Sequence, residues 1–98
     1  MARIDLDRER VVAFCRRNRI SRLSLFGSAT RDDFGPLSDV DLLVEFEPGA
    51  RVGLFQMVRM EEELSVLVGR RVDLRTPAEL SRYFRDEVVA GAEVLFAA

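Results

Sequence analysis

Two aspartates separated by one residue follow a glycine–serine turn in this sequence. Gly27-Ser28 is followed, after ten residues, by Asp39, Val40 and Asp41. Side chains alternate between the two faces of a β-strand, so Asp39 and Asp41 are expected on one side, about 7 Å apart. Two such carboxylates repel each other, and Mg²⁺ relieves the repulsion because it prefers one or two carboxylates together with substrate phosphates. The spacing therefore predicts metal-assisted chemistry on a nucleoside triphosphate.

The turn before the aspartates has the composition of a phosphate-binding loop. Gly27 lets an anion approach the backbone without a Cβ in the way, and N–H groups at a helix start would point at that anion. Ser28 fits an ordinary helix cap equally well, and for a lone Gly-Ser pair that simpler interpretation is the stronger one. Arg31 suits either a triphosphate or an ion pair with Asp32 or Asp33. Only the aspartates that follow the turn favour its interpretation as a phosphate-binding loop.

A third aspartate, Asp73, lies in a later β-forming segment, 71–75. Aspartate is disfavoured in strands, so its presence there costs stability unless a bound cation compensates. The same cost applies to Asp39 and Asp41. If the two strands are neighbours in the sheet, Asp73 completes a site of three carboxylates. That neighbour relation is a hypothesis about topology.

The remaining elements are predicted from periodicity and from start and stop signals. Predicted helices cover about residues 5–18, 28–34, 52–68 and 76–90, the last either continuous or broken near Ser81. Predicted strands cover 22–26, 39–46, 71–75 and 93–96. The helix over 52–68 carries Leu54, Met57, Val58, Leu64 and Leu67 at helical spacing. Asp5 or Asp7 is expected to cap the first helix, and Gly69 to end the helix over 52–68. Thr76–Glu79 forms a predicted capping box, and Tyr83 is predicted to pack on the last helix.

Composition limits the possible classes of protein. A chain of 98 residues with a net charge of −2 is expected to form one domain, residues 1–98, and is no general polyanion binder. The chain has one cysteine, Cys15, which excludes an internal disulfide and a cysteine zinc cluster. It has no histidine, which excludes His-based catalysis or zinc binding, and no lysine, which excludes a P-loop. No apolar run approaches the roughly 20 residues of a membrane span, so no membrane is expected and a cytoplasmic location is the default. A domain this small would gain stability from a partner or from oligomerisation.

The combined motifs identify a family. Gly-Ser, ten residues, Asp-x-Asp and a third Asp on a later strand resemble the nucleotidyltransferase fold of the DNA polymerase β superfamily. The words LFGS, SDVDLLVEFEPG, GRRVDL and TPAEL resemble its minimal branch, the MNT domains that act as antitoxins beside HEPN toxins. The resemblance implies an α/β fold, with a small mixed sheet flanked by helices.

The same resemblance implies roles for the site residues. Asp39 and Asp41 would hold two Mg²⁺ ions, and Asp73 would join one of them and assist deprotonation of the attacking hydroxyl. Gly27 and Ser28 would contact the phosphates of ATP or another nucleoside triphosphate. In this branch, AMP passes to a tyrosine hydroxyl on a HEPN-type RNase toxin and silences it.

Two alternatives to this enzyme follow from the chain itself. The first is a binding module with weak catalysis that neutralises a partner by occlusion, since the apolar edge segment 94–96 invites strand pairing. The intact set of three aspartates argues against it. The second, transfer to an antibiotic or to RNA, usually needs another domain to hold the acceptor. A partner protein is therefore expected to supply the acceptor.

Overall fold

The computed structural model describes residues 6–27 and 39–98, and this part forms a mixed β-sheet with helices. The helices are α1 (Arg8–Arg17), α2 (Leu54–Val68) and α3 (Arg85–Gly91), and the strands are β1 (Ile20–Phe26), β2 (Val40–Phe46), β3 (Val72–Arg75) and β4 (Glu93–Ala97). The predicted α/β class and the four predicted strands are confirmed, and no strand end differs from its predicted position by more than two residues.

The four described strands lie in the order β3-β2-β1-β4. β1 is antiparallel to both of its neighbours, whereas β2 and β3 are parallel. A parallel pair needs a long crossover connection, and α2 provides it. The topology therefore makes β2 and β3 neighbours, which confirms the hypothesis that brings their aspartates together.

One face of the sheet, called the core face here, forms the hydrophobic core. Strand residues that alternate along β1, β2 and β3 meet buried residues of α1 and α2 on this face. The strand members are Ile20, Leu23, Leu25, Val40, Leu42, Val44, Val72 and Leu74, and the helix members are Val11, Phe14, Cys15, Met60 and Leu64. The two-residue period of each strand thus leaves the intervening residues for the opposite face.

Local signals fix the ends of α1 and α2. Asp7 caps α1, since its carboxylate accepts a hydrogen bond from the backbone N–H of Arg10 at 3.3 Å. At the start of α2 the Gln56 side chain accepts a bond from the Gly53 N–H at 3.0 Å. α2 ends where Gly69 adopts φ +76°, the left-handed conformation that glycine takes most readily. These caps match the predicted boundaries at Asp7 and Gly69, while Asp5 lies outside the described residues.

The helical segment after β3 is broken near Ser81, the second of the two forms predicted for it. A short 3-10 helix spans Pro77–Glu79, and α3 begins only at Arg85. Glu79 accepts bonds from the Thr76 N–H and hydroxyl at 3.2 and 3.1 Å, so the expected link between these two residues forms. Tyr83 lies in the turn before α3 and is 78% exposed, so the prediction that it packs on a helix is wrong.

Two further expectations concern the helix predicted over 28–34 and the absence of a membrane span. The predicted helix over 28–34 lies outside the described residues. No helix in the described part of the chain has the length and hydropathy needed to cross a membrane.

Candidate nucleotidyl-transfer site

Asp41 and Asp73 lie side by side on neighbouring strands. The parallel register of β2 and β3 pairs Asp41 with Asp73 directly. Neighbouring strands are about 4.8 Å apart, so the two side chains leave the same face of the sheet at adjacent positions. Both residues are half-buried, unlike the fully buried Leu42 and Leu74 that follow them. The face opposite the core, called the site face here, therefore carries a pair of carboxylates.

Asp39 lies one residue before the start of β2 and is exposed. Its position two residues before Asp41 gives it the same parity along the chain. Within residues 6–27 and 39–98, no group of three or more carboxylate, thiol or imidazole side chains is arranged to hold a metal ion. The backbone thus brings Asp41 and Asp73 together, while the three carboxylates do not converge.

Arg75 forms an ion pair with the carboxylate of Asp73. Its Nε lies 3.2 Å from Asp73 Oδ1, and its Nη2 donates a hydrogen bond to Asp73 Oδ2 at 3.3 Å. This two-point contact uses both carboxylate oxygens, the geometry that a guanidinium favours. The hydrogen bond to Asp73 and its negative charge raise the pKa of Arg75, with a smaller contribution from Glu79, 3.9 Å away. Arg75 therefore supplies the positive charge beside Asp73.

Gly27 lies against one of the two carboxylates. It has φ +72°, and a Cβ built there would overlap the carboxylate of Asp41, with Asp41 Cγ only 3.2 Å away. Any other residue would therefore face both backbone strain and a collision. Phe26, the preceding residue, pairs with Asp41 across the β1–β2 ladder. The end of β1 thus lies against the acidic pair, as the predicted arrangement requires. Ser28 and Arg31 lie outside the described residues.

A cleft of about 360 Å³ opens beside Asp73, between the start of α2 and the end of β3. Its apolar wall comes from Leu54, Met57 and Val58 of α2. Its polar wall contains Asp73 and Arg75. The carboxylate of Asp73 therefore borders both the site face and this cleft.

Comparison with known proteins places this geometry in a family. The profile of the nucleotidyltransferase domain matches residues 8–95, nearly the whole chain. The chain belongs to the nucleotidyltransferase domain family. The family and the enzyme class predicted from the aspartate motif are thereby confirmed.

Individual nucleotidyltransferases resemble the chain to different degrees. A Methanocaldococcus jannaschii protein, provisionally named a protein adenylyltransferase, is 29% identical over 82 residues, covering 84% of this chain and 86% of that protein. A solved structure, provisionally described as a minimal nucleotidyltransferase, is 36% identical, with a TM-score of 0.70 over 89% of this chain and 85% of its own. A Shewanella oneidensis complex of a tri-AMPylated HEPN toxin with an MNT antitoxin matches with a TM-score of 0.65 and 18% identity, covering 93% and 70% of the two chains. At that identity the last match shows the fold alone.

The donors in this nucleotidyltransferase site fit a magnesium ion. Asp41 and Asp73 offer hard carboxylate oxygens from neighbouring backbone positions, and the sheet holds that spacing rigid. For Asp73 to act as a ligand, its carboxylate has to exchange the guanidinium of Arg75 for the cation.

Sequence reasoning missed Arg75. The signal was present, because Arg75 follows Asp73 by two residues and so shares its face of the strand. The strand register shows which residue lies beside Arg75, and the sequence alone does not. Leu43, which pairs with Arg75, is buried on the site face, so the guanidinium extends toward Asp73 and Glu79.

Proposed function

We propose that this protein is a magnesium-dependent antitoxin that transfers AMP from ATP to a tyrosine hydroxyl of a HEPN-type RNase toxin. The direct pairing of Asp41 with Asp73 on neighbouring parallel strands carries the proposal. It supplies two carboxylates at the spacing and on the face that metal-assisted nucleotidyl transfer requires. Within this proposal, residues 1–98 act as a single domain.

Each site residue has a defined part in this reaction. Asp39, Asp41 and Asp73 would hold magnesium, with two ions as the proposed number, and Asp73 would also accept the proton of the attacking hydroxyl. When bound, magnesium would supply positive charge to the α-phosphate and to the departing pyrophosphate. Gly27, Ser28 and Arg31 hold the triphosphate. Catalysis then rests on position and charge, since the chain has no histidine to act as a base.

The relatives support the choice of acceptor and partner. One relative bears the name of a protein adenylyltransferase, and the Shewanella oneidensis complex contains an AMPylated HEPN toxin bound to an MNT antitoxin. An acceptor hydroxyl on a protein agrees with a site whose third carboxylate borders an open cleft. Adenylylation of the toxin would silence its RNase activity.

The test is incubation of the purified chain with α-labelled ATP, Mg²⁺ and the protein encoded by the neighbouring gene, which the proposal expects to be a HEPN toxin. We expect label on a toxin tyrosine, loss of label with Asp41→Asn, and loss of label with a chelator. The chain has a single tyrosine, so Tyr83→Phe identifies any label that the chain places on itself. An unlabelled toxin, or full labelling by Asp41→Asn, would contradict the proposal.

A binding module that neutralises the toxin without chemistry is the second candidate. The Asp73–Arg75 ion pair favours it, and the described carboxylates form no group of three that could hold a metal ion. This candidate predicts that Asp41→Asn still protects cells from the toxin. The adenylyltransferase predicts that protection is lost while the two proteins still associate.

A further inference from the structure

Apolar side chains at the start of α2 are exposed. Leu54 is 78% exposed, Phe55 85% and Val58 44%. At 3.6 residues per turn these side chains lie off the face of α2 on which Met60 and Leu64 pack into the core, so they point away from it. Neighbouring exposed apolar residues in a soluble domain mark a surface that binds something.

This apolar surface is continuous with the proposed catalytic site. Leu54, Met57 and Val58 form one wall of the cleft of about 360 Å³, while Asp73, Arg75 and Glu79 lie on the other. A volume of this size is at the lower end of ligand sites, so it accommodates a large side chain or a short piece of chain. We call it the acceptor cleft.

The edge of β3 beside the cleft is closed to strand pairing. The N–H of Val72 donates to Ser65 Oγ at 3.0 Å, and the N–H of Leu74 donates to Glu61 Oε2 at 2.9 Å. Both acceptors belong to α2, so the helix satisfies outward-facing donors of the edge strand. A partner segment therefore has to bind here through side chains and not by adding a strand.

The chemistry of the cleft specifies its occupant. An aromatic ring suits a groove with an apolar wall and a guanidinium, because both stack on its faces. Among the described residues that line the cleft, Glu61, Asp73 and Glu79 outnumber the one basic residue, Arg75, so this lining favours a segment with positive charge beside the ring. A hydroxyl on that ring would reach the carboxylate of Asp73.

We propose that the acceptor cleft binds the tyrosine-bearing segment of the partner protein, with the ring against Leu54 and Val58. The proposal rests on the adenylyl transfer proposed above and assigns the surface that selects its acceptor. The tyrosine oxygen bonds to the α-phosphorus, the bond from that phosphorus to the bridging oxygen breaks, and pyrophosphate leaves. The phenolic proton passes to Asp73. Atoms and electrons balance without another reactant.

The first experiment compares two valines of the same helix. Val58→Ser alters the cleft, whereas Val66→Ser alters a valine that is 83% exposed and lies outside it. With labelled ATP and increasing toxin, we expect Val58→Ser to raise the half-saturating toxin concentration about tenfold, with the maximal rate and ATP binding unchanged. Val66→Ser should behave like wild type. Equal behaviour of the two variants would overturn the proposal.

A cross-link locates the segment directly. Cys15 is fully buried, so Leu54→Cys introduces the one accessible thiol among the described residues for a photo-activated cross-linker, and Val66→Cys is the matched control. We expect position 54 to attach to the toxin peptide that contains or adjoins the adenylylated tyrosine. Attachment to a different region of the toxin would overturn the proposal.

The two proposals fail in different ways. If wild-type protein transfers no AMP to the toxin, the proposed function is wrong. If wild type transfers AMP while Val58→Ser and Val66→Ser have equal toxin dependence, only the acceptor cleft is wrong.

Discussion

The two faces of the sheet carry out different tasks with residues that alternate along the same strands. On the core face, Leu42 and Leu74 are 1% and 5% exposed and contribute hydrophobic burial. On the site face, the residue immediately before each of them is an aspartate, half-buried and aligned with the other. The comparison shows that a strand offsets the cost of acidic residues on one face by burying their neighbours on the other.

The site face is itself divided. Ser24 and Leu43 are both 2% exposed, although they alternate with the core residues and so point away from the core. The row formed by Phe26, Asp41 and Asp73 is less buried and lies where β2 and β3 begin. The chemistry is therefore confined to one end of a face whose middle is covered.

Two glycines with similar backbone angles test how tightly the site face is packed around Asp41. Gly27 has φ +72° beside Asp41, whereas Gly69 has φ +76° and no atom lies within 4 Å of the position that a Cβ would take there. We expect Gly69→Ala to lower the free energy of unfolding by about 1–2 kcal/mol through backbone strain, and Gly27→Ala by about 3 kcal/mol through added overlap. Urea unfolding measures both. Equal losses would mean that the Asp41 carboxylate moves aside at little cost.

The core face makes a pH prediction through Cys15. Burial raises the pKa of its thiol from 9.0 to about 12. Between these two pH values the thiol is ionised in the unfolded chain but still protonated in the folded chain. The contribution of the protonated thiol to stability is therefore complete below pH 9 and is lost as the pH rises from 9 to about 12. We expect the free energy of unfolding to fall by up to about 1.4 kcal/mol per pH unit. Cys15→Ala should remove this slope, and an unchanged slope would contradict the assignment.

Arg75 tests the electrostatics of the site face, where the smallest stability effect is expected. An exposed ion pair contributes less than about 1 kcal/mol, so Arg75→Gln should hardly change the unfolding curve. Removing its charge from beside Asp73 should tighten Mn²⁺ binding about fivefold, measured by electron paramagnetic resonance. Arg71→Gln removes the same charge without breaking the Asp73 ion pair and serves as the control. Equal effects of the two variants would show that Arg75 does not compete with the cation.

Strand parity was the part of the fold most readily predicted from the sequence. Alternation along residues 40–46 and 72–75 separates Asp41 and Asp73 from the apolar residues around them, because the period of a strand is fixed at two. The pairing of those strands could only be a hypothesis, since parallel neighbours are set by a crossover and not by local sequence.

Tertiary context decided what the sequence did not. The sequence pattern groups Leu54 and Val58 with Leu64 as apolar residues of one helix, yet they are exposed because at 3.6 residues per turn they lie off the face on which Leu64 packs. Tyr83 is exposed because the predicted helix breaks between Glu79 and Arg85. The Arg75–Asp73 ion pair depends on side-chain direction around a buried Leu43, which a pattern of residue types does not encode.

The most direct test of the account uses two adjacent residues of β3 that face opposite ways. Transfer of labelled AMP to the toxin and the melting temperature are measured together for Asp73→Asn and Leu74→Ala. We predict that Asp73→Asn lowers transfer at least about 100-fold with a nearly unchanged melting temperature. Leu74→Ala should lose about 2–5 kcal/mol of stability, and so melt many degrees lower, while its folded fraction still transfers AMP. Wild-type transfer by Asp73→Asn would contradict the assignment of chemistry to the site face.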